Sequence, residues 1–193
     1  MAKKSKKQKQ KKKSGTVTLK KDSGTLVLEH ETLKNITLGS NAGDQDERIY
    51  NVLDVEVGED DDDDDAAAVN AAVNDKNLKK YLEHLKKETI FPVTVTGIED
   101  MGCFGWEEFY TWGPGDKAEY ENLKKKYPSF TDKYELLRFN EDFDLDEGLY
   151  AEVKRISDRK KFTLSLADLK TVEKNSKNSQ LLDDYAVWYT NFR

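Results

Sequence analysis

Acidic side chains carry most of the chemistry that this sequence offers, and they are not spread evenly. Glu99-Asp100 is followed, across a Gly-rich bend, by Glu107-Glu108. Glu141, Asp142, Asp144, Asp146 and Glu147 crowd into one short stretch, and Asp183-Asp184 stands near the end. Carboxylate oxygens suit a hard cation such as Ca²⁺, which takes about six to eight oxygens from Asp, Glu, backbone carbonyls and water. Asp142-x-Asp144-x-Asp146 copies the first three ligand positions of an EF-hand loop. Glu147 then stands where that loop needs its glycine, and Val153 where it needs its closing Glu, so this is not an EF-hand. As an extended segment, with Phe143 and Leu145 alternating, the stretch puts its three Asp on one face. Such a row is either solvated by water or drawn together by a cation, and the pattern alone leaves both open.

The other acids have competing explanations. Glu99, Asp100, Glu107 and Glu108 lie beside Trp106, Phe109 and Trp112, which fits a binding site or aromatics in a core with acids facing water. Acids near a helix start, as expected for Asp183-Asp184, are favoured by the macrodipole alone. The run Glu59 to Asp65 has no Gly turn and reads as a solvated linker. Catalytic groupings are missing: His30 and His84 are isolated, and no Ser/His/Asp set, P-loop or dinucleotide fingerprint is present. Nothing selects two carboxylates from so many as an acid and base pair, so a non-enzymatic protein is expected.

The elements that must position these groups come from a chain of 193 residues, 36% hydrophobic and 36% charged, with three Trp, nine Tyr and eight Phe. That aromatic content argues for a real core within a polar composition. Eight Lys lie among the first thirteen residues, Lys3 to Lys13, and no acid does. Taking those eight from the formal total of −6 leaves −14 on the rest. Such an acidic body attracts cations and repels nucleic acid and anionic membranes, whereas the tail would bind polyanions weakly or serve only solubility. Cys103 is the single cysteine, which fits a reducing compartment. No apolar run follows the Lys-rich start, and none approaches a membrane span. A soluble, cytoplasmic protein with no membrane association is expected.

Residues 1–14 read as a disordered tail, 15–58 as a small β element, 59–75 as a linker and 76–193 as the main domain. Within 15–58 the strand candidates are Thr16 to Leu19, Thr25 to Leu28, Ile36 to Leu38 and Ile49 to Val57. In the last, Leu53, Val55 and Val57 share a face. Ala66 to Ala72 is small and featureless. Lys76 to Glu88 is an amphipathic helix, with Leu78, Tyr81, Leu82 and Leu85 on one stripe. A strand at Val93 to Ile98, an irregular segment to Trp112 and a short helix to Lys126 follow. Strands at Tyr134 to Phe139, Leu149 to Ile156 and Lys161 to Leu166 precede a closing helix from Lys177 to Thr190. The class is α+β: a small, SH3-like, partly open antiparallel barrel flanked by helices, with a separate N-terminal β element.

Five blocks carry a family likeness: Phe91-Pro92 with the following VTVTGIED, GWEEFY (105–110), SFTDKYELL (129–137), AEVKRISDRKKFTLSLADL (151–169) and NSQLLDDYAVWYTNFR (178–193). Over about residues 81–193 the chain resembles the bacterial calcium-binding proteins related to the cyanobacterial Ca²⁺-buffering protein. The resemblance implies an acidic, non-EF-hand protein that binds Ca²⁺ through surface carboxylates on a small β-rich fold. It implies roles as metal ligands for Glu99, Asp100, Glu107, Glu108, Asp146 and Glu147, while Asp142 and Asp144 rest on spacing alone. Two functions stay in view: a Ca²⁺ buffer or sensor, and an interaction module offering Trp106, Phe109 and Trp112 to a partner protein.

Overall fold

The computed structural model describes residues 42–56, 67–99 and 102–193. The Lys-rich tail, the strand candidates between Thr16 and Leu38, and the Asp60 to Asp65 run lie outside these residues. The elements are helix α1 (Ala42–Leu53), a single helical turn at 67–70, and α2 (Asp75–Glu88). Strand β1 (Val93–Gly97) leads into a 3₁₀ segment (Gly102–Glu107) and the one-turn α3 (Glu108–Thr111), then α4 (Lys117–Lys124). Strands β2 (Lys133–Asp144), β3 (Gly148–Arg155) and β4 (Lys161–Ser165) follow in sequence. A 3₁₀ turn (Leu166–Asp168), β5 (Leu169–Thr171) and α5 (Lys177–Asn191) complete the order.

The five strands form one antiparallel sheet in the order β4-β3-β2-β1-β5. The mixed helix and strand class is as expected from the sequence, with five strands in place of about four. Pairing ends at β4 and β5, the two edges of an open sheet. β3 buries Leu149, Ala151 and Val153 on one face, the period-two pattern of a half-buried strand. Against that face lie α2 and α5. Asn74 caps α2 by accepting from the Asn77 N–H at 3.0 Å, and Ser176 caps α5 by accepting from Ser179 at 3.1 Å. Trp188 of α5 is fully buried and stacks on Tyr81 of α2, ring centroids 4.5 Å apart. Truncating so large a buried ring costs about 3–5 kcal/mol.

Two sequence expectations are overturned. The segment from Ile49 is not a strand: residues 42–53 are helical, and Ile49 and Leu53, one turn apart, are buried in the core cluster with Tyr81 and Trp188. The i, i+4 pair found a partner surface on α2 and α5, which overrides the alternation of Leu53, Val55 and Val57. Nor is the Ala-rich stretch featureless. Residues 67–70 make a helical turn, Ala67 and Ala71 are buried, and Trp188 donates its indole N–H to the Ala71 carbonyl at 2.7 Å. Small side chains are what let this backbone approach the indole so closely.

At the other end of the sheet, Arg155 ties α4 to β3. It is 2% exposed and donates to the Lys124, Lys125 and Tyr127 carbonyls, and to Asp132 and Asp158. The carbonyls at the end of α4 have no partner within the helix, so the guanidinium supplies one. Among the described residues, no helix is long and apolar enough to cross a membrane.

Candidate functional site

Glu107 stands where the 3₁₀ segment runs into α3, and it is fully buried. One carboxylate oxygen accepts from the Tyr120 hydroxyl at 2.6 Å and the Ser129 hydroxyl at 2.7 Å. The other accepts from the Phe130 N–H at 2.7 Å. Both oxygens are thus engaged inside the protein, where they pin the 129–130 turn to α3. The sequence reading of Glu107 as a ligand meets a different job here, because a cation would have to break three charge-assisted bonds. Its neighbours are placed otherwise. Glu108 and Glu99 are exposed, and Asp100 lies outside the described residues.

The β2–β3 hairpin holds the second acidic group. Asp144 ends β2, and one of its carboxylate oxygens accepts from the Asp146 N–H at 2.9 Å and the Glu147 N–H. The other accepts from the Tyr150 hydroxyl at 2.6 Å. The Tyr150 bond, then the backbone donors, hold the Asp144 carboxyl below its usual range, and the same bond lifts the Tyr150 phenol to about 12. Gly148 closes the turn at φ +73°, where a Cβ would run into the Tyr185 hydroxyl. That hydroxyl takes the Leu149 N–H at 2.7 Å. Backbone carbonyls of the turn are tied down too: Tyr189 donates to Leu145, Arg193 to Asp146 and Ser165 to Glu147. Asp146 and Glu147 therefore sit on a rigid turn, and no described residue bonds their carboxylates. Asp142 is exposed on the irregular part of β2, where the register to β3 shifts between Phe139 and Phe143.

Asp146 and Glu147 line a cleft of about 280 Å³ that Asp168 and Arg193 also line. The sequence reading did not single out Asp168. It is 5% exposed, accepts from the Cys103 N–H at 2.9 Å, and its own carbonyl accepts from Ile98. Burial first, and then the nearby Asp168 charge, push the Cys103 thiol up, which leaves it protonated. A lone acid inside the apolar run Leu166-Ala167-Asp168-Leu169 was the signal available, since such an acid is buried only with partners. The acids of the cleft offer oxygens, as a hard cation prefers, but the cationic Arg193 lines it too, and no three His, Cys, Asp or Glu among the described residues are grouped tightly enough to hold an ion.

Asp183 and Asp184 act on the fold. Asp184 is buried and accepts twice from Arg48 of α1, at 2.7 and 2.8 Å, while Gln45 bridges both acids. Trp106, placed in the sequence among exposed candidates, is half-buried, with its indole N–H donated to the Pro128 carbonyl at 3.1 Å. Phe109 and Trp112 remain exposed.

An antiparallel sheet under two capped helices, with an acidic hairpin turn at its end, defines a small acidic protein of mixed helix and strand class. Residues 116–189 match the model of a family described as calcium binding. The resemblance seen in the sequence thus holds over this segment, which contains the hairpin acids and Asp168 but not Glu99, Glu107 or Glu108. A solved structure of a calcium binding protein in the calcium-binding form is similar at 14% identity, with 76% of this chain and 90% of that chain covered and a TM-score of 0.44. The crystal structure of Anabaena CcbP is similar at 14% identity, over 69% of this chain and 94% of that one, with a TM-score of 0.40. No curated protein matches.

Proposed function

We propose that this protein is a non-enzymatic, cytoplasmic Ca²⁺-binding protein, a buffer or sensor, that uses the β2–β3 turn without an EF-hand. The observation that carries the reading is the pair of unengaged carboxylates, Asp146 and Glu147, on a rigid turn that lines one cleft with Asp168, inside the segment matched to the calcium-binding family. Asp144 shapes the turn through its three accepted bonds, and the exposed Asp142, Glu99 and Glu108 add to a negative surface charge that attracts cations. The cleft walls must close by a small movement to gather enough oxygens, so the affinity belongs to the weaker, micromolar to millimolar range.

The test is calorimetric titration with Ca²⁺ and then Mg²⁺, alongside melting curves in each. Ca²⁺ should bind and raise the melting temperature, with Mg²⁺ much weaker because it demands a tighter octahedron and sheds water reluctantly. D146N/E147Q should remove most of the shift, D168N should reduce it, and E99Q/E108Q should lower it only modestly. Melting curves unmoved by calcium would end the reading. A second reading has its own observation: Phe109 and Trp112 are 54% and 73% exposed, as anchors for a partner protein would be. A stoichiometric protein partner retained in chelator and lost in F109A/W112A would favour it.

A further inference from the structure

The acidic cleft contains a cation of its own. Asp146, Glu147 and Asp168 line it with three carboxylates, and Arg193, two residues beyond α5, lines it too. The Arg193 guanidinium donates to the Asp146 carbonyl at 2.9 Å and lies over the Tyr189 ring, 5.0 Å from its centroid. Tyr189 donates its hydroxyl to the Leu145 carbonyl at 3.0 Å and stacks on Tyr185, so the ring under the guanidinium is fixed. Both signs of charge are felt at that ring. Burial raises the Tyr189 phenol, the Arg193 charge opposes the rise, and the Asp144, Glu147 and Asp146 charges add to it.

An incoming cation meets this guanidinium in two ways. The Asp146 carbonyl is an oxygen of the kind Ca²⁺ takes, and Arg193 already holds it. The positive charge also offsets one of the three negative charges that attract the ion. Exchange then depends on valence. A monovalent ion that replaces the guanidinium leaves the charge of the cleft as it was, whereas Ca²⁺ neutralises one charge more. We propose that Arg193 is the built-in counter-ion of the cleft: it holds the turn in the metal-free protein, must be displaced for Ca²⁺ to bind, and thereby keeps the affinity low and discriminates against monovalent cations. The inference rests on the Ca²⁺ reading of the cleft and names the residue that regulates it.

NMR of the full chain, first in chelator and then titrated with Ca²⁺, provides the test. In chelator the Arg193 side-chain protons should show the upfield shift of groups held over an aromatic ring. Saturating Ca²⁺ should return them to the values of a solvated arginine. R193Q removes the charge and should move the Glu147 amide, which shares a peptide bond with the Asp146 carbonyl, before any calcium is added. It should then bind Ca²⁺ roughly threefold to tenfold more tightly at low salt, the gain shrinking as KCl is raised. R193K keeps the charge and should bind within about twofold of wild type. Arg193 is exposed, so both variants should fold, which melting curves in chelator check. A purely structural latch gives the opposite sign, because R193Q would loosen the turn and weaken binding. Calcium affinity of R193Q equal to or below wild type, R193K as tight as R193Q, or Arg193 resonances unmoved by saturating Ca²⁺ would each overturn the proposal. If Ca²⁺ shifts Asp146 and Glu147 in wild type and R193Q with one affinity, only the role of Arg193 falls. If it shifts them in neither, the calcium reading of the cleft falls and the proposal with it.

Discussion

At the scale of single residues, burial separates acids that shape the fold from acids that can meet a cation. Glu107 is the clearest case. E107Q would turn an acceptor of three bonds into a group whose amide faces one of its own donors. It should destabilise the protein by about 2–3 kcal/mol in urea unfolding, while Ca²⁺ titration of the folded variant stays near wild type. D146N/E147Q should do the reverse. Asp158 gives a pH signature. Its bonds to Arg155, above all, and then the Lys160 N–H and charge, hold it well below the ordinary carboxylate value against a smaller opposing effect of burial. A carboxyl depressed in the folded state contributes stability above its unfolded pKa and loses it as pH falls through the folded value. The contribution is therefore intact at neutral pH and begins to fail below about pH 4. Melting curves between pH 7 and pH 2 should show D158N less stable at pH 7, with the two proteins converging in acid.

At the scale of elements, the question is what holds α1 against the rest. Arg48 and Asp184 are the polar clamp, with side chains 31% and 9% exposed, and Ile49 and Leu53 are the apolar contact. D184N leaves the guanidinium facing a neutral amide at a half-buried site. A loss of about 2–3 kcal/mol is expected, below the full value for a wholly buried pair because Arg48 reaches solvent. Hydrogen exchange should report it locally, with lost protection at Ile49 to Leu53 and unchanged protection in β2 and β3. The same helix shows where the sequence was legible. In α2, the apolar stripe and the cap were complete within fourteen residues, so the helix could be read directly. In α5, Leu181, Leu182, Tyr185, Trp188 and Tyr189 did the same. In α1 only Ile49 and Leu53 are buried apolar positions with a helical spacing, and the following Val55 and Val57 extend the set as a strand would. Its helicity is decided by α5, through a salt bridge across more than a hundred residues that no local pattern carries. The site divides likewise. Asp146 and Glu147 announce themselves as surface charge, whereas burial of Glu107 and the approach of Asp168 to the turn depend on which loops the sheet brings together.

At the scale of the whole molecule, charge is the property that no folded element explains. The formal −6 is a balance between eight lysines in the first thirteen residues and −14 elsewhere. Coulombic attraction of Lys3 to Lys13 for a polyanion is strong at low salt and screened over roughly 8 Å at physiological ionic strength. The acidic remainder repels the same polyanion, so any binding must come through the tail. Proposed here as weak polyanion anchoring, this gives an outcome separable from the metal site. Retention on heparin should fall steeply with salt, each lysine that engages a phosphate or sulfate adding roughly 0.7–0.9 to the slope of log affinity against log salt. Deletion of residues 1–13 should abolish retention, yet the Ca²⁺-dependent rise in melting temperature should survive, because Asp146, Glu147 and Asp168 belong to the hairpin and the β4–β5 turn. If retention survives the deletion, the basic tail is not the anchor; if instead the calcium response is lost, the cation is not held where the cleft places its oxygens.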